Sequence, residues 1–116
     1  MQTAVYNQTR TAVLACRMVR AESFWQRFMG LMGKRRFPGE YDALLFEKCN
    51  SIHCFFMFME IDVLFIDRKK RVVKSVSALK PWHLAWGGWE SAAVIELPAG
   101  TLEKTGTLPG DQLEFN

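Results

Sequence analysis

Several features that would place a small protein quickly are scarce or missing. There are only three cysteines, Cys16, Cys49 and Cys54, among 116 residues. They cannot all pair within one chain, and a domain of this length hides roughly two-thirds of its unfolded surface without staples, so a reducing compartment is expected. No apolar run is long enough to cross a bilayer as a helix: the densest stretch, residues 52–66, is interrupted by His53, Glu60 and Asp62. Residues 1–10 are polar and lack the basic start and apolar segment of a signal peptide. A soluble, cytoplasmic protein without membrane association is therefore expected. Charge of one sign is also scarce, with 15 basic against 12 acidic side chains and a net charge of +3. That permits weak attraction to phosphates without demanding a nucleic-acid partner. No repeat, low-complexity tract or linker divides the chain, so one domain over residues 1–116 is expected. A Gly-rich phosphate loop, a Gly-x-Ser-x-Gly elbow and a dinucleotide fingerprint are all missing.

What the chain does contain is bulky core material. It is 49% hydrophobic, with nine phenylalanines and four tryptophans. Residues 12–21 are β-branched and partly alternating, which predicts an early strand. Phe24, Trp25, Phe28, Met29, Leu31 and Met32 then recur at three- and four-residue spacing and predict one helix near residues 23–33, capped by Ser23 and ended by Gly33. Further strands are predicted over 43–47, 52–59 and 61–67. Residues 67–70 form a polar tip leading into an alternating strand over 71–77, which together read as a hairpin. A tryptophan-rich loop spans 81–91, another strand 92–97, a single helical turn 101–105 and a last strand 112–115. Many short strands with one helix predict a mainly β fold, a β-sandwich or barrel with one flanking helix.

Residues 49–67 combine strand-forming apolar side chains with a histidine, two cysteines and three carboxylates. Reactive groups in such a setting are paired, solvated or used. If residues 52–59 form a regular strand, His53, Phe55, Met57 and Met59 share one face and Ile52, Cys54, Phe56 and Phe58 the other. His53 then reads as an acid, base or ligand-orienting donor at a pocket rim, or as a histidine bridging backbone groups beneath a loop. Asp62 shares its face with Leu64 and Ile66 and so needs a partner, with Arg17, Arg27 or His53 the nearest choices in chemistry. Its plainer reading is a buried structural salt bridge. Asp111, after Gly110, reads as a turn-former.

A metal centre is not expected. Cys49, His53 and Cys54 lack the paired Cys-x-x-Cys spacing, and methionines such as Met57 and Met59 in an aromatic strand usually pack. Thiol catalysis by Cys49 or Cys54 beside His53 is weakened because His53 and Cys54 face opposite ways. In the loop, Trp82, Trp86 and Trp89 could stack on a ligand or form a lid, while Lys80 and His83 could hold an anion. The basic tips 34–36 and 68–71 read as solvated faces.

The segments Phe28-Met-Gly-Leu-Met32, Leu44-Leu-Phe46, Ser51-Ile-His-Cys-Phe-Phe-Met57, Ile61-Asp-Val-Leu-Phe-Ile-Asp67, Leu79-Lys-Pro-Trp82, Glu96-Leu-Pro-Ala-Gly100 and Gly110-Asp111 resemble, in order, an uncharacterised family of bacteria and archaea known as domain of unknown function 192. The resemblance runs from about Arg27 to the C-terminus. It implies a mainly β domain of sandwich or jelly-roll type with the residue 24–32 helix beside it, and it implies no activity. The chain departs from the family pattern at Glu60, where relatives commonly carry proline, and at Cys54, where they carry threonine. Many relatives also begin with an export signal.

The combined expectation is a pocket for a small polar or anionic molecule, framed by the strands of residues 53–62 and the loop of residues 82–89. His53 and Asp62 supply polar contacts, Phe55 and Met57 form walls, Trp82, Trp86 and Trp89 line it, and Lys80 holds an anionic group. No cofactor is called for, and the pattern favours binding over catalysis. The alternatives are a small hydrolase with His53 as base and Asp62 as orienter, and, less favoured, a nucleic-acid module using the basic tips and tryptophans. A monomer or weak homodimer is expected.

Overall fold

In the computed structural model the described residues are 2–21, 33–53 and 58–116, with backbone only for Gln2 and His53. The helix expected near 23–33 lies outside them, as do Phe55 and Met57. Strands β3 (Ala43–Glu47), β5 (Ile61–Ile66) and β8 (Ala93–Pro98) carry the most continuous apolar runs and are buried almost throughout. Strands covered on both faces belong at the centre of a structure, and these three lie side by side. The full order is β6 (Val72–Leu79), β5, β8, β3, β2 (Ala12–Arg20), β1 (Gln2–Asn7) and β9 (Leu113–Glu114). Only the β2–β3 pair is parallel; the others are antiparallel.

This sheet curls until its ends approach. The residue just before β6, Arg71, bridges to Gln112. The Val72 N–H donates to the Asp111 carbonyl at 2.8 Å, and the Leu113 N–H to the Lys70 carbonyl at 2.9 Å. The result is a half-barrel with two apolar faces. Leu45, Leu64, Ile66, Ile95 and Leu97 point inward with Val5, Met18 and Leu113, under the short helix α1 (Thr101–Thr105), whose Leu102 joins the cluster. Their strand neighbours Leu44, Phe46, Val63, Phe65 and Val94 point outward. A second, two-stranded sheet of β4 (Ser51–His53) and β7 (Leu84–Trp86) lies over this outer face, with Ile52 and Ala85 packed against it. Among the described residues, no helix is long and apolar enough to cross a membrane.

The predicted strands over 12–21, 43–47, 61–67, 71–77 and 92–97 and the turn at 101–105 are present with small shifts in their ends. Of the strand expected over 52–59, residues 51–53 form β4, and residues 54–57 lie outside the described part. Strand β1 was not expected from the polar first residues, and β7 arises inside what reads as a loop. Strand β1 is held by β2 across a short turn and by β9 from the far end of the chain, and β7 by β4 from a distant part of it.

Candidate functional site

Two carboxylates enter the core from neighbouring strands, and their fates differ. Asp62 faces the barrel interior and is 1% exposed. Its Oδ1 accepts the Ala78 N–H at 2.8 Å and its Oδ2 the Leu102 N–H at 2.9 Å. Ala78 has φ +53° and sits where the β5–β6 register slips. Leu102 is in the first turn of α1, whose N-cap residue, Gly100, has no side chain to cap it. Asp62 thus fastens a bulge and a helix start that otherwise lack partners. The partners expected from sequence are Arg17, Arg27 or His53; among the described residues the partners are main-chain amides, and Arg27 and the His53 side chain lie outside them. Arg17 is engaged elsewhere, its guanidinium donating to the Gly39 carbonyl at 3.3 Å. With both oxygens accepting main-chain amides inside the barrel, Asp62 lies on the opposite face of the sheet from the tryptophan loop.

Glu96 is the residue that sequence reasoning passed over. It is 2% exposed on the outer face, between its cross-strand neighbours Leu44 and Val63. Its Oε1 has no hydrogen-bond partner among the described residues. Burial pushes its carboxyl up from 4.5 to about 8, so it is protonated at neutral pH. The Tyr41 phenol is raised in turn, by burial first and then by Glu96 and Glu40. The signal was available: Glu96 alternates with Val94 as Asp62 does with Leu64. Asp111 is a third buried acid. Its burial raises the pKa, but donors from Arg10 (2.9 Å), Asn7 and the Leu108 N–H (both 3.0 Å) outweigh that and leave it below the ordinary value. It does form a turn, and it also ties the β1–β2 turn to the approach to β9.

The tryptophan loop is firmly seated. A Cβ at Gly87 would lie 2.3 Å from the Phe65 ring, so only glycine allows this contact. The Gly87 N–H donates to the Asn50 carbonyl at 2.7 Å, and Lys74 Nζ donates to the Trp86 carbonyl at 2.8 Å. Trp86 and Trp89 meet edge to face, with centroids 5.6 Å apart. Trp89 is 87% exposed and projects beyond this support. Trp82 stands in the turn before β7 at φ +66° and does not share the Trp89 hollow. Neither does Lys80, whose carbonyl accepts the His83 N–H at 3.3 Å, while His83 Nδ1–H donates to the Pro81 carbonyl at 2.9 Å. His53 contributes its backbone to β4, opposite Leu84; its side chain lies outside the described residues.

Around Trp89 two hollows open. One, of about 500 Å³, runs between residues 48–51, Arg68 and residues 89–92. The other, of about 560 Å³, lies along the β5–β6 tip between Trp89, Arg68, Lys69 and Arg71. The tip is rigid because Asp67 Oδ1 accepts both the Lys69 and Arg71 N–H groups at 2.9 Å. The opposite wall is pinned by the Cys49 N–H to the Ala92 carbonyl at 3.2 Å. The ion pairs among the described residues are Arg10–Asp111 and Arg20–Glu47, so Lys48, Arg68, Lys69 and Arg71 have no acid paired with them there. From the sequence the 68–71 tip reads as a solvated face, with nucleic-acid contact as the alternative. Its meeting with Trp89 depends on how the hairpin and the loop dock, which spacing does not reveal. Among the described residues no cluster of three or more His, Cys, Asp or Glu side chains is arranged to hold a metal ion.

The model of the family described as Uncharacterized ACR (DUF192) matches residues 5–115. A UPF0127 protein of Thermococcus sibiricus is 32% identical over 115 residues, covering 94% of this chain and 72% of its own. A UPF0127 protein of Pyrococcus horikoshii is 38% identical over 97 residues, covering 82% of this chain and 84% of its own. The crystal structure of a protein of unknown function from Novosphingobium aromaticivorans aligns with a TM-score of 0.79 at 19% identity, over 98% of this chain and 84% of that one, a likeness of fold alone. With the match running through nearly every strand of the half-barrel, the chain belongs to the DUF192 family.

Proposed function

We propose that the protein binds a small anionic ligand in the cleft between Lys48, Arg68 and Trp89. The observation that carries this reading is the convergence of residues 48–51, Arg68 and residues 89–92 on one hollow that joins the unpaired Lys48 and Arg68, with Glu90 beside them, to a mostly exposed indole. Cations without acidic partners attract an anion, and a guanidinium can bind a carboxylate or phosphate through two parallel hydrogen bonds. An exposed tryptophan beside them offers a flat face for a ring or sugar. The hollow volumes fall within the roughly 300–1,000 Å³ of small-molecule sites. Titrating phosphate monoesters, carboxylates and anionic sugars against tryptophan fluorescence tests the reading. A saturable response weakened at least tenfold by Arg68→Ala is expected; silence across the panel in the unaltered protein would overturn it.

A second reading, binding of single-stranded nucleic acid, is favoured by the same juxtaposition of Arg68, Lys69 and Arg71 with Trp89. It predicts affinity that grows with strand length and falls steeply with salt. A small ligand holding one or two cations shows a shallow salt dependence and no gain from added nucleotides.

A further inference from the structure

The barrel has a third hollow, of about 490 Å³, whose make-up differs from the other two. Its floor is core: Leu45, Ile66, Ala93 and Phe115 line it and also belong to the interior cluster. Its rim carries four cations, Arg20, Lys48, Arg68 and Lys70. Two of these hold the chain itself. Arg20 donates to the Asn116 carbonyl and pairs with Glu47 at 3.5 Å. Lys70 donates to the Phe115 carbonyl and stands 4.3 Å from the centre of that ring. The rim acids are occupied as well, Glu47 by Arg20 and Asp67 by the turn amides. Lys48 and Arg68 remain, and Lys48 is held at φ +53°, a conformation that side-chain-bearing residues seldom adopt. Lys48, Arg68 and Ala92 also line the Trp89 cleft, so the two hollows share one cationic wall.

We propose that the anion held at Lys48 and Arg68 carries a short apolar group that enters this hollow, so that the ligand is a small anionic amphiphile such as an alkyl phosphate or a short-chain carboxylate. The inference rests on the reading of the neighbouring cleft as an anion site. On this floor Ala93 and Phe115 keep a little apolar surface open, and an alkyl group placed against it leaves water for an apolar surface, which an anion alone does not. The group is short. Leu45 and Ile66 are almost fully covered by their own neighbours, so the hollow stops at them and no tunnel continues into the core.

The test is a chain-length series on the unaltered protein by titration calorimetry, using inorganic phosphate and methyl to pentyl phosphates, with acetate to hexanoate in parallel. Affinity is expected to rise about fourfold per methylene, the gain for a buried methylene, and to level off once the hollow is full. The parallel series shows which head group is preferred, and a chain-length rise in either one supports the proposal. In Ala93→Leu the added side chain occupies the hollow, so the chain-length gain is lost while binding of inorganic phosphate persists. If that variant fails to fold, the series on the unaltered protein still decides. Equal affinity for inorganic phosphate and every ester, with acetate matching hexanoate, overturns this inference and leaves the anion site standing. No binding of any probe overturns both.

Discussion

Replacing Glu96 by glutamine should change how stability depends on pH. The carboxyl is 2% exposed and is raised from 4.5 to about 8 by burial. In the unfolded chain it releases its proton near the lower value. Between pH 4.5 and 8 the folded state therefore binds one more proton than the unfolded state. Stability is full at and below the unfolded pKa and falls as pH rises, by about 1.4 kcal/mol per unit, until the folded pKa is passed. The whole window amounts to roughly 5 kcal/mol, a ceiling comparable to the entire stability of many small domains. Glutamine keeps the shape and has no proton to lose. Its amide hydrogens add a burial cost of about 1–3 kcal/mol, but at every pH alike. The slope is therefore diagnostic and the offset is not. Urea unfolding followed by tryptophan fluorescence at pH 5, 6, 7 and 8 measures both proteins. The expected result is a difference that shifts in favour of Glu96→Gln by about 1 kcal/mol with each pH unit. Parallel curves would show that the carboxyl gains a partner or water when it ionises and would refute the reasoning.

Four further outcomes follow from the same geometry. Asp62→Ala strands the Ala78 and Leu102 amides, at about 1–3 kcal/mol each, and is expected to lower the urea midpoint; an unchanged midpoint would contradict its fastening role. Asp111 has a lowered pKa, so its contribution is present above the unfolded value and is lost as pH falls through the folded one; Asp111→Asn should be less stable near neutrality and converge with the unaltered protein in acid. Gly87→Ala forces a methyl against Phe65, costs about 1–3 kcal/mol and displaces the loop, which near-ultraviolet circular dichroism of the tryptophans reads directly. Arg68→Ala should leave thermal stability within about 0.5 kcal/mol while weakening anion binding, because no partner among the described residues depends on it.

The central strands were the legible part of the fold. Residues 43–47, 61–66 and 93–98 are apolar enough to announce burial, and the polar tip at 67–70 separates two such runs cleanly. Strand β1 was not legible, because Gln2, Thr3 and Asn7 carry no apolar alternation and the strand is secured by pairing with β2 and β9. The need for partners at Asp62 could be read from its neighbours, but not their identity. Those partners are amides exposed by a register slip at Ala78 and by a helix start at Leu102, both products of tertiary structure. Glu96 was as legible as Asp62 by the same alternation. Trp89 could be named as a candidate contact and Arg68 as part of a basic tip, but their meeting with Lys48 in one hollow could not be read, since twenty residues or more separate each from the next and only the curled sheet brings them together.

Nuclear magnetic resonance shift mapping on titration with inorganic phosphate and butyl phosphate addresses the binding proposal most directly. Amide signals from residues 48–51, 68–71 and 89–92 and the Trp89 indole N–H should move together and saturate, with the Ala93 methyl joining them for butyl phosphate only. Shifts confined to other surfaces, or none at millimolar ligand, would contradict an anion site between Lys48, Arg68 and Trp89.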